Sequence, residues 1–163
     1  MKQNFNIVVP MAGRGSRFTE QGYYDKYDFS IFDDIIGHKT WKTICLPEVT
    51  EGAAQTLLVS KPYINNNTPM LSFNTDQMVD YDSDMWESFK KFDGGIPCFW
   101  GDSEDWSYAR CGQDGFVEEV AEKKVISNDA TAGYYYWSKG SDFVKYAEQM
   151  IEENSRTNGE FYV

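Results

Sequence analysis

Short apolar runs alternate with segments of helix-forming residues along the chain. Phe5–Met11 is a mostly apolar run that stops at a glycine-rich segment, which predicts a buried parallel strand entering a loop. Gly52–Lys61 is rich in helix formers and is followed by Pro62, which predicts a helix ending there. Pro69–Phe73 is a second apolar run, which predicts a strand that ends in the polar residues Asn74-Thr75-Asp76. The alternation indicates an α/β protein.

The second half of the chain continues this alternation and adds a hairpin. Turn residues at Gly112-Gln113-Asp114-Gly115 separate Tyr108–Cys111 from Phe116–Val120, which predicts an antiparallel hairpin. Ser83–Phe92 and Ser141–Glu153 each begin with a serine suited to capping a helix, and the second has apolar residues at helical spacing. The remaining predicted strands are Gly95–Trp100, Gly133–Trp137 and, on weaker patterns, Phe29–Ile36 and Thr43–Leu46.

These elements predict one domain over residues 1–163, because a chain of this length fills a single core. The predicted fold is a three-layer α/β/α arrangement with a mainly parallel mixed central sheet. Ligands are expected at the carboxyl edge of the strands, with the hairpin over the substrate side.

The charge of the chain restricts its partners. A formal net charge of -11 argues against nucleic acid and anionic membrane as partners, since both are polyanions and the chain has no basic run. An acidic protein that handles phosphates must concentrate its cations at the site or recruit a divalent metal. Cys45, Cys98 and Cys111 are odd in number and widely spaced, so we expect reduced, mostly packing cysteines in a cytoplasmic protein. Met1–Pro10 is interpreted as a strand rather than a signal peptide, and no transmembrane span is predicted.

The strongest local signal for chemistry is Ala12-Gly13-Arg14-Gly15-Ser16-Arg17-Phe18, directly after the first strand. Glycines let the backbone approach an anion, exposed amides bind it, and Arg17 adds a forked cation, which together suit a triphosphate. The spacing is neither that of dinucleotide-binding proteins nor that of P-loop hydrolases. From the residues alone, an ordinary glycine-rich turn explains the pattern equally well.

With further motifs, the sequence resembles the sugar-phosphate nucleotidyltransferases of GT-A-like fold. The resemblance begins with the glycine-rich segment, which matches the Ala-Gly-x-Gly-Ser/Thr-Arg-Phe/Leu motif of that family. It continues through four segments in the family's order: Glu51-Gly52-Ala53-Ala54-Gln55-Thr56, Asn74-Thr75-Asp76-Gln77, Val120-Ala121-Glu122-Lys123 and Thr131-Ala132-Gly133-Tyr134. Five ordered motifs over most of the chain are more specific than any one of them.

The resemblance implies transfer of a nucleotide from a nucleoside triphosphate to a phosphorylated small molecule, with release of pyrophosphate. It implies that Arg17 and Lys26 are catalytic residues and that Asp76 binds Mg²⁺. It also implies that the acceptor is a sugar phosphate used in surface polysaccharide synthesis. The implied nucleotide-binding residues are Ala12, Gly13, Arg14, Gly15, Ser16, Gly52, Ala53 and Gln55, and the implied substrate-binding residues are Glu122, Lys123 and Gly133. Trp106-Ser107-Tyr108-Ala109 is a further candidate for the substrate side, from its place between motifs.

Several alternatives stay open. Without the resemblance, Asp76 is better read as a turn or capping residue, and Glu122 with Lys123 as a solvated pair. The family's Lys-Pro pair is missing at Lys26-Tyr27, which suggests a compact variant or, by preference, a longer protein from which loops and a tail are absent. The alternative functions are a nucleotide-binding domain without catalysis and a GT-A glycosyltransferase that uses a nucleotide sugar. The sequence leaves open the base, the acceptor and whether the chain forms a homo-oligomer.

Overall fold

The computed structural model describes residues 5–11, 41–75, 77–80 and 82–163. Within these ranges the chain is a mixed α/β protein, as predicted. Its strands are β1 (Asn6–Val8), β2 (Met70–Phe73), β3 (Gly94–Gly95), β4 (Cys98–Trp100), β5 (Tyr108–Cys111), β6 (Val117–Ala121), β7 (Asp129–Thr131) and β8 (Tyr134–Trp137). Its helices are α1 (Ala53–Leu58), α2 (Lys61–Ile64), α3 (Ser83–Phe89) and α4 (Gly140–Glu152).

The strands form two sheets of four strands each. The first has the order β1-β2-β8-β3 and the second the order β4-β7-β5-β6. Among the described strands only β1 and β2 pair in parallel, while β8 is antiparallel to both of its neighbours and the second sheet is antiparallel throughout. The mainly parallel sheet is therefore not confirmed. The reason is that β8 begins beside the carboxyl end of β2, where Phe73 pairs with Tyr134, and runs back along it.

One face of the first sheet carries the core. Leu57, Ile64, Met70, Phe143, Val144 and Ala147 are buried together there, contributed by α1, α2, β2 and α4. Burying an apolar side chain of this size contributes about 1.5–3 kcal/mol. Trp137 closes the cluster, with its ring edge-on to Phe143 at a centroid distance of 5.5 Å.

The predicted helix starts need correction. The side chain of Asp82, rather than Ser83, caps α3, because its Oδ1 accepts the amides of Asp84 at 2.9 Å and Met85 at 3.3 Å. α4 starts at Gly140 without a side-chain cap. Its first amides are instead satisfied by backbone carbonyls, those of Thr68 at 2.9 Å and Asn66 at 3.0 Å, so a capping hydroxyl at Ser141 is not needed.

Two other predicted segments differ in the structure. Gly95–Trp100 is not one strand, because β3 and β4 belong to different sheets and Ile96-Pro97 separates them. Pro62 does not end the first helix but lies in the first turn of α2, where a missing amide costs nothing.

Residues 41–50, the described part of a second unit over residues 12–50, contain neither helix nor strand, so the strand predicted at Thr43–Leu46 is wrong. The strand predicted at Phe29–Ile36 lies outside the described residues. No helix within the described ranges is long and apolar enough to cross a membrane.

Candidate functional site

The predicted site residues fall into two groups. Gly52, Ala53, Gln55, Glu122, Lys123 and Gly133 are described by the structure. Ala12, Gly13, Arg14, Gly15, Ser16, Arg17, Lys26 and Asp76 lie outside the described residues, so their roles stay predictions.

Glu51 and Gly52 lead into α1 through a close backbone approach, and Ala53–Gln55 form the first turn of that helix; the stretch Gly52–Gln55 is named here the Gly52–Gln55 loop. Gly52 has a φ of 137°, and a Cβ at this position would lie 2.5 Å from the backbone nitrogen of Phe161 and closer still to its carbonyl oxygen. Only glycine fits such a position without displacing the neighbouring chain. The Gln55 side chain closes the loop, because its Oε1 accepts the Glu51 amide at 2.6 Å.

Gly133 joins the two sheets at the tip of β2. It lies between β7 and β8, has a φ of 67°, and its carbonyl accepts the Asn74 amide at 2.9 Å. A Cβ here would lie 2.7 Å from Nδ2 of Asn74 and would overlap Oε1 of Gln77. Gly133 therefore packs against Asn74 and Gln77, which belong to the segment that contains the predicted metal ligand Asp76.

Aromatic rings support this junction from the face of the first sheet opposite the core. The rings of Phe73 and Tyr134, the residues next to Asn74 and Gly133, meet edge-on at a centroid distance of 4.8 Å. They line a cavity of about 330 Å³ together with Leu71, Trp86 and Tyr136. The packing holds the ends of β2 and β8 in register.

Glu122 lies in the turn that follows β6. Its carboxylate accepts the hydroxyl of Ser107, so the segment predicted to line the substrate side does contact a predicted substrate residue. Lys123 is exposed in the same turn with a left-handed φ of 51°. The turn presents one acid and one cation side by side.

The charge of Glu122 reaches two tyrosines from different parts of the chain. Burial raises the pKa of Tyr135; a hydrogen bond with Thr131 opposes this, and Glu122 raises it further. The pKa of Tyr162 is raised by burial first and then by Glu122 and Glu160. Tyr162 follows Phe161, which packs on Gly52. Glu122 is therefore close enough to influence the titration of Tyr162, the residue next to Phe161.

The exposure of the cysteines differs from the prediction. Cys45, Cys98 and Cys111 are free, but all three are exposed, so the prediction that they are mostly packing residues is wrong. Cys98 lies on β4, an edge strand whose three residues are exposed. Although the residue as a whole is exposed, its thiol is partly buried; this burial, followed by Asp129 and Cys111, raises the pKa of Cys98 to about 11, which keeps the thiol protonated at neutral pH.

No group of three or more His, Cys, Asp or Glu residues that could hold a metal ion occurs in the part of the chain that the structure describes. Asp76 lies outside the described residues. Its neighbours Asn74 and Gln77 carry amide oxygens, and the Gln77 Oε1 is buried without a hydrogen-bond partner among the described residues. Oxygen donors of this kind are compatible with Mg²⁺.

No family model and no curated protein matches the chain. Solved structures do match it. The nucleoside-diphosphate-sugar pyrophosphorylase from Vibrio cholerae RC9 is similar over 96% of this chain and 84% of that chain, with a TM-score of 0.75 and 22% identity. The likeness establishes the fold. A protein from Bacillus anthracis named as a putative glucose-1-phosphate thymidylyltransferase, solved with sucrose, is similar over 92% of this chain with a TM-score of 0.57 and 17% identity, and the match spans 56% of its length.

Replacing Gly133 tests the junction between the sheets. Gly133→Ala should destabilise the protein by about 1–3 kcal/mol, because the methyl group meets Asn74 and Gln77 and the residue keeps a left-handed φ. Gly115→Ala is the matched control: Gly115 has a φ of 82° and nothing lies within 4 Å of where its methyl group would be, so its cost should be smaller. Urea unfolding measures both. Adding Gln77→Ala to Gly133→Ala should recover part of the loss, and equal losses for the two glycine variants would contradict the packing.

Neutralising Glu122 tests the proximity of the two tyrosines. Glu122→Gln should lower the pKa of both Tyr135 and Tyr162, because a carboxylate near a phenol disfavours the phenolate. Glu160→Gln should lower only the pKa of Tyr162. NMR titration of protein with labelled tyrosine rings measures each value. A Tyr135 titration that is unchanged in Glu122→Gln would show that Glu122 lies elsewhere.

Proposed function

We propose that the protein is a nucleotidyltransferase that transfers a nucleoside monophosphate from a nucleoside triphosphate to a sugar phosphate and releases pyrophosphate. The observation that carries the proposal is the shared fold with a nucleoside-diphosphate-sugar pyrophosphorylase over 96% of this chain. The five ordered motifs support it independently of the fold. Under the proposal, the products serve surface polysaccharide synthesis, and the reaction takes place in the cytoplasm.

The described residues support a site with two halves. The Gly52–Gln55 loop is held rigidly by its own hydrogen bonds and by Phe161, as a loop that reads a base should be. Glu122 and Lys123 offer an acceptor and a donor of hydrogen bonds to a hydroxylated, phosphorylated molecule.

The reaction is a single in-line displacement. An oxygen of the acceptor phosphate forms a bond to the α-phosphorus, the bond from that phosphorus to the bridging oxygen breaks, and its electron pair leaves with pyrophosphate. Such a step requires positioning and charge stabilisation more than a covalent nucleophile. In the proposal the amides of residues 12–16 bind the polyphosphate, Arg17 and Lys26 stabilise the charge that develops on it, and Gly52, Ala53 and Gln55 contact the base.

Mg²⁺ fits the oxygen donors of the residues that follow β2. Asp76 would hold it, and its sequence neighbours Asn74 and Gln77 carry further oxygen donors of the kind that Mg²⁺ prefers. When bound, the ion neutralises phosphate charge and polarises the reacting phosphoryl group. A protein with a net charge of -11 has a particular need for this neutralisation.

The acceptor half of the site depends on Lys123. Lys123→Ala should raise the KM for the sugar phosphate roughly tenfold, because it removes a cation from the phosphate, while the KM for the triphosphate stays unchanged. Lys124→Ala is the matched control, since it removes an adjacent exposed lysine outside the motif. Pyrophosphate release with CTP, UTP or dTTP, Mg²⁺ and a panel of sugar phosphates provides the measurement.

The same assay tests the activity itself. If the wild-type protein released no pyrophosphate with any pair of triphosphate and sugar phosphate, and bound no triphosphate, these results would contradict the proposal. Triphosphate binding without turnover would instead favour a nucleotide-binding domain that lacks catalysis.

A further inference from the structure

The segment Asn154–Val163, named here the clasp, has a shape that its own sequence encodes. α4 ends in a Schellman motif: Asn154 has a φ of 51°, its amide bonds to Ile151 at 3.0 Å, and the Ser155 amide bonds to Met150 at 2.9 Å. Asn158 and Gly159 then form a two-residue turn with φ values of 51° and 83°. Thr157 and Glu160 exchange two backbone hydrogen bonds of 3.0 Å across this turn. Asparagine followed by glycine is the preferred pair for such a turn.

The turn places Phe161 against the Gly52–Gln55 loop. Phe161 is 1% exposed, its amide donates to the Glu51 carbonyl at 2.8 Å, and its carbonyl accepts the Ala54 amide at 3.1 Å. The loop is thus paired with the clasp on both sides of Gly52. The missing side chain at Gly52 is what allows the two backbones to approach.

The side chain of Arg156 stabilises the same contact. Its guanidinium forms an ion pair with the Glu51 carboxylate and stacks over the Phe161 ring, 3.9 Å from the ring centroid. It also donates to the carbonyl of Gly159 at 2.9 Å and to Oδ1 of Asn154 at 2.7 Å. The Arg156 side chain therefore contacts the loop, the turn and Phe161, and it is 30% exposed.

We propose that the clasp sets the affinity for the nucleoside triphosphate by holding the Gly52–Gln55 loop in its binding conformation, with Arg156 as the positioning residue. This inference rests on the proposed function, in which that loop contacts the base. Preorganising a loop removes an ordering cost that binding would otherwise bear. By linkage, the triphosphate must stabilise the clasp as much as the clasp strengthens its binding.

Substitution of Arg156 tests the inference, and Arg110 offers the matched control. Each arginine forms one exposed ion pair with a glutamate, Arg156 with Glu51 and Arg110 with Glu119 in the β5–β6 hairpin. Arg156→Met should raise the Kd and KM for UTP, CTP or dTTP with Mg²⁺ by roughly three- to tenfold and leave kcat and the sugar-phosphate KM unchanged. Arg110→Met should change none of these constants, and Arg156→Lys should recover part of the affinity.

Hydrogen exchange of the full chain provides a second readout. Arg156→Met should speed exchange at the amides of Ala54 and Phe161, and the triphosphate should slow exchange at both amides in the wild-type protein. Faster exchange in the variant with an unchanged triphosphate Kd would overturn the inference and leave the proposed function standing. Failure of the wild-type protein to bind any triphosphate would overturn both.

Discussion

The sharp connection between the two sheets at Gly133 is the constraint on which the rest of the site depends. β7 ends the second sheet at Thr131, β8 begins the first at Tyr134, and the two residues between them must turn beside the tip of β2. A left-handed glycine makes that turn, and Asn74 and Gln77 occupy the space that a side chain would need. The junction places the β2 tip and the strand that bears Tyr135 side by side.

The electrostatics of the site determines which chemical groups it favours. The protein is strongly acidic, yet the described part of the site exposes Lys123 next in sequence to Glu122, whose carboxylate is already hydrogen-bonded to Ser107. Burial, with a smaller contribution from Glu122, raises the pKa of both Tyr135 and Tyr162, and both phenols are protonated and able to donate at neutral pH. Such a surface suits hydroxyl groups and, with Mg²⁺, phosphates.

The sequence predicted the features that local chemistry determines. The hairpin and the strand predicted at Pro69–Phe73, observed at Met70–Phe73, follow from turn residues and apolar runs of a few residues each. The direction of β8 and the division of Gly95–Trp100 between two sheets depend on pairing partners far along the chain, which periodicity does not reveal. The clasp had a local signal in Asn158-Gly159, but its target at Gly52 is more than a hundred residues away. The cap at Asp82 was missed because Ser83 beside it is an equally good capping residue by type.

A crystal structure with a nucleoside triphosphate, Mg²⁺ and the full chain tests the central claim most directly. The account predicts the triphosphate tail against the backbone of residues 12–17, the base against the Gly52–Gln55 loop and the metal at Asp76. A triphosphate bound elsewhere, such as in the aromatic cavity beside Trp86 and Tyr136, with Asp76 away from the metal, would contradict it.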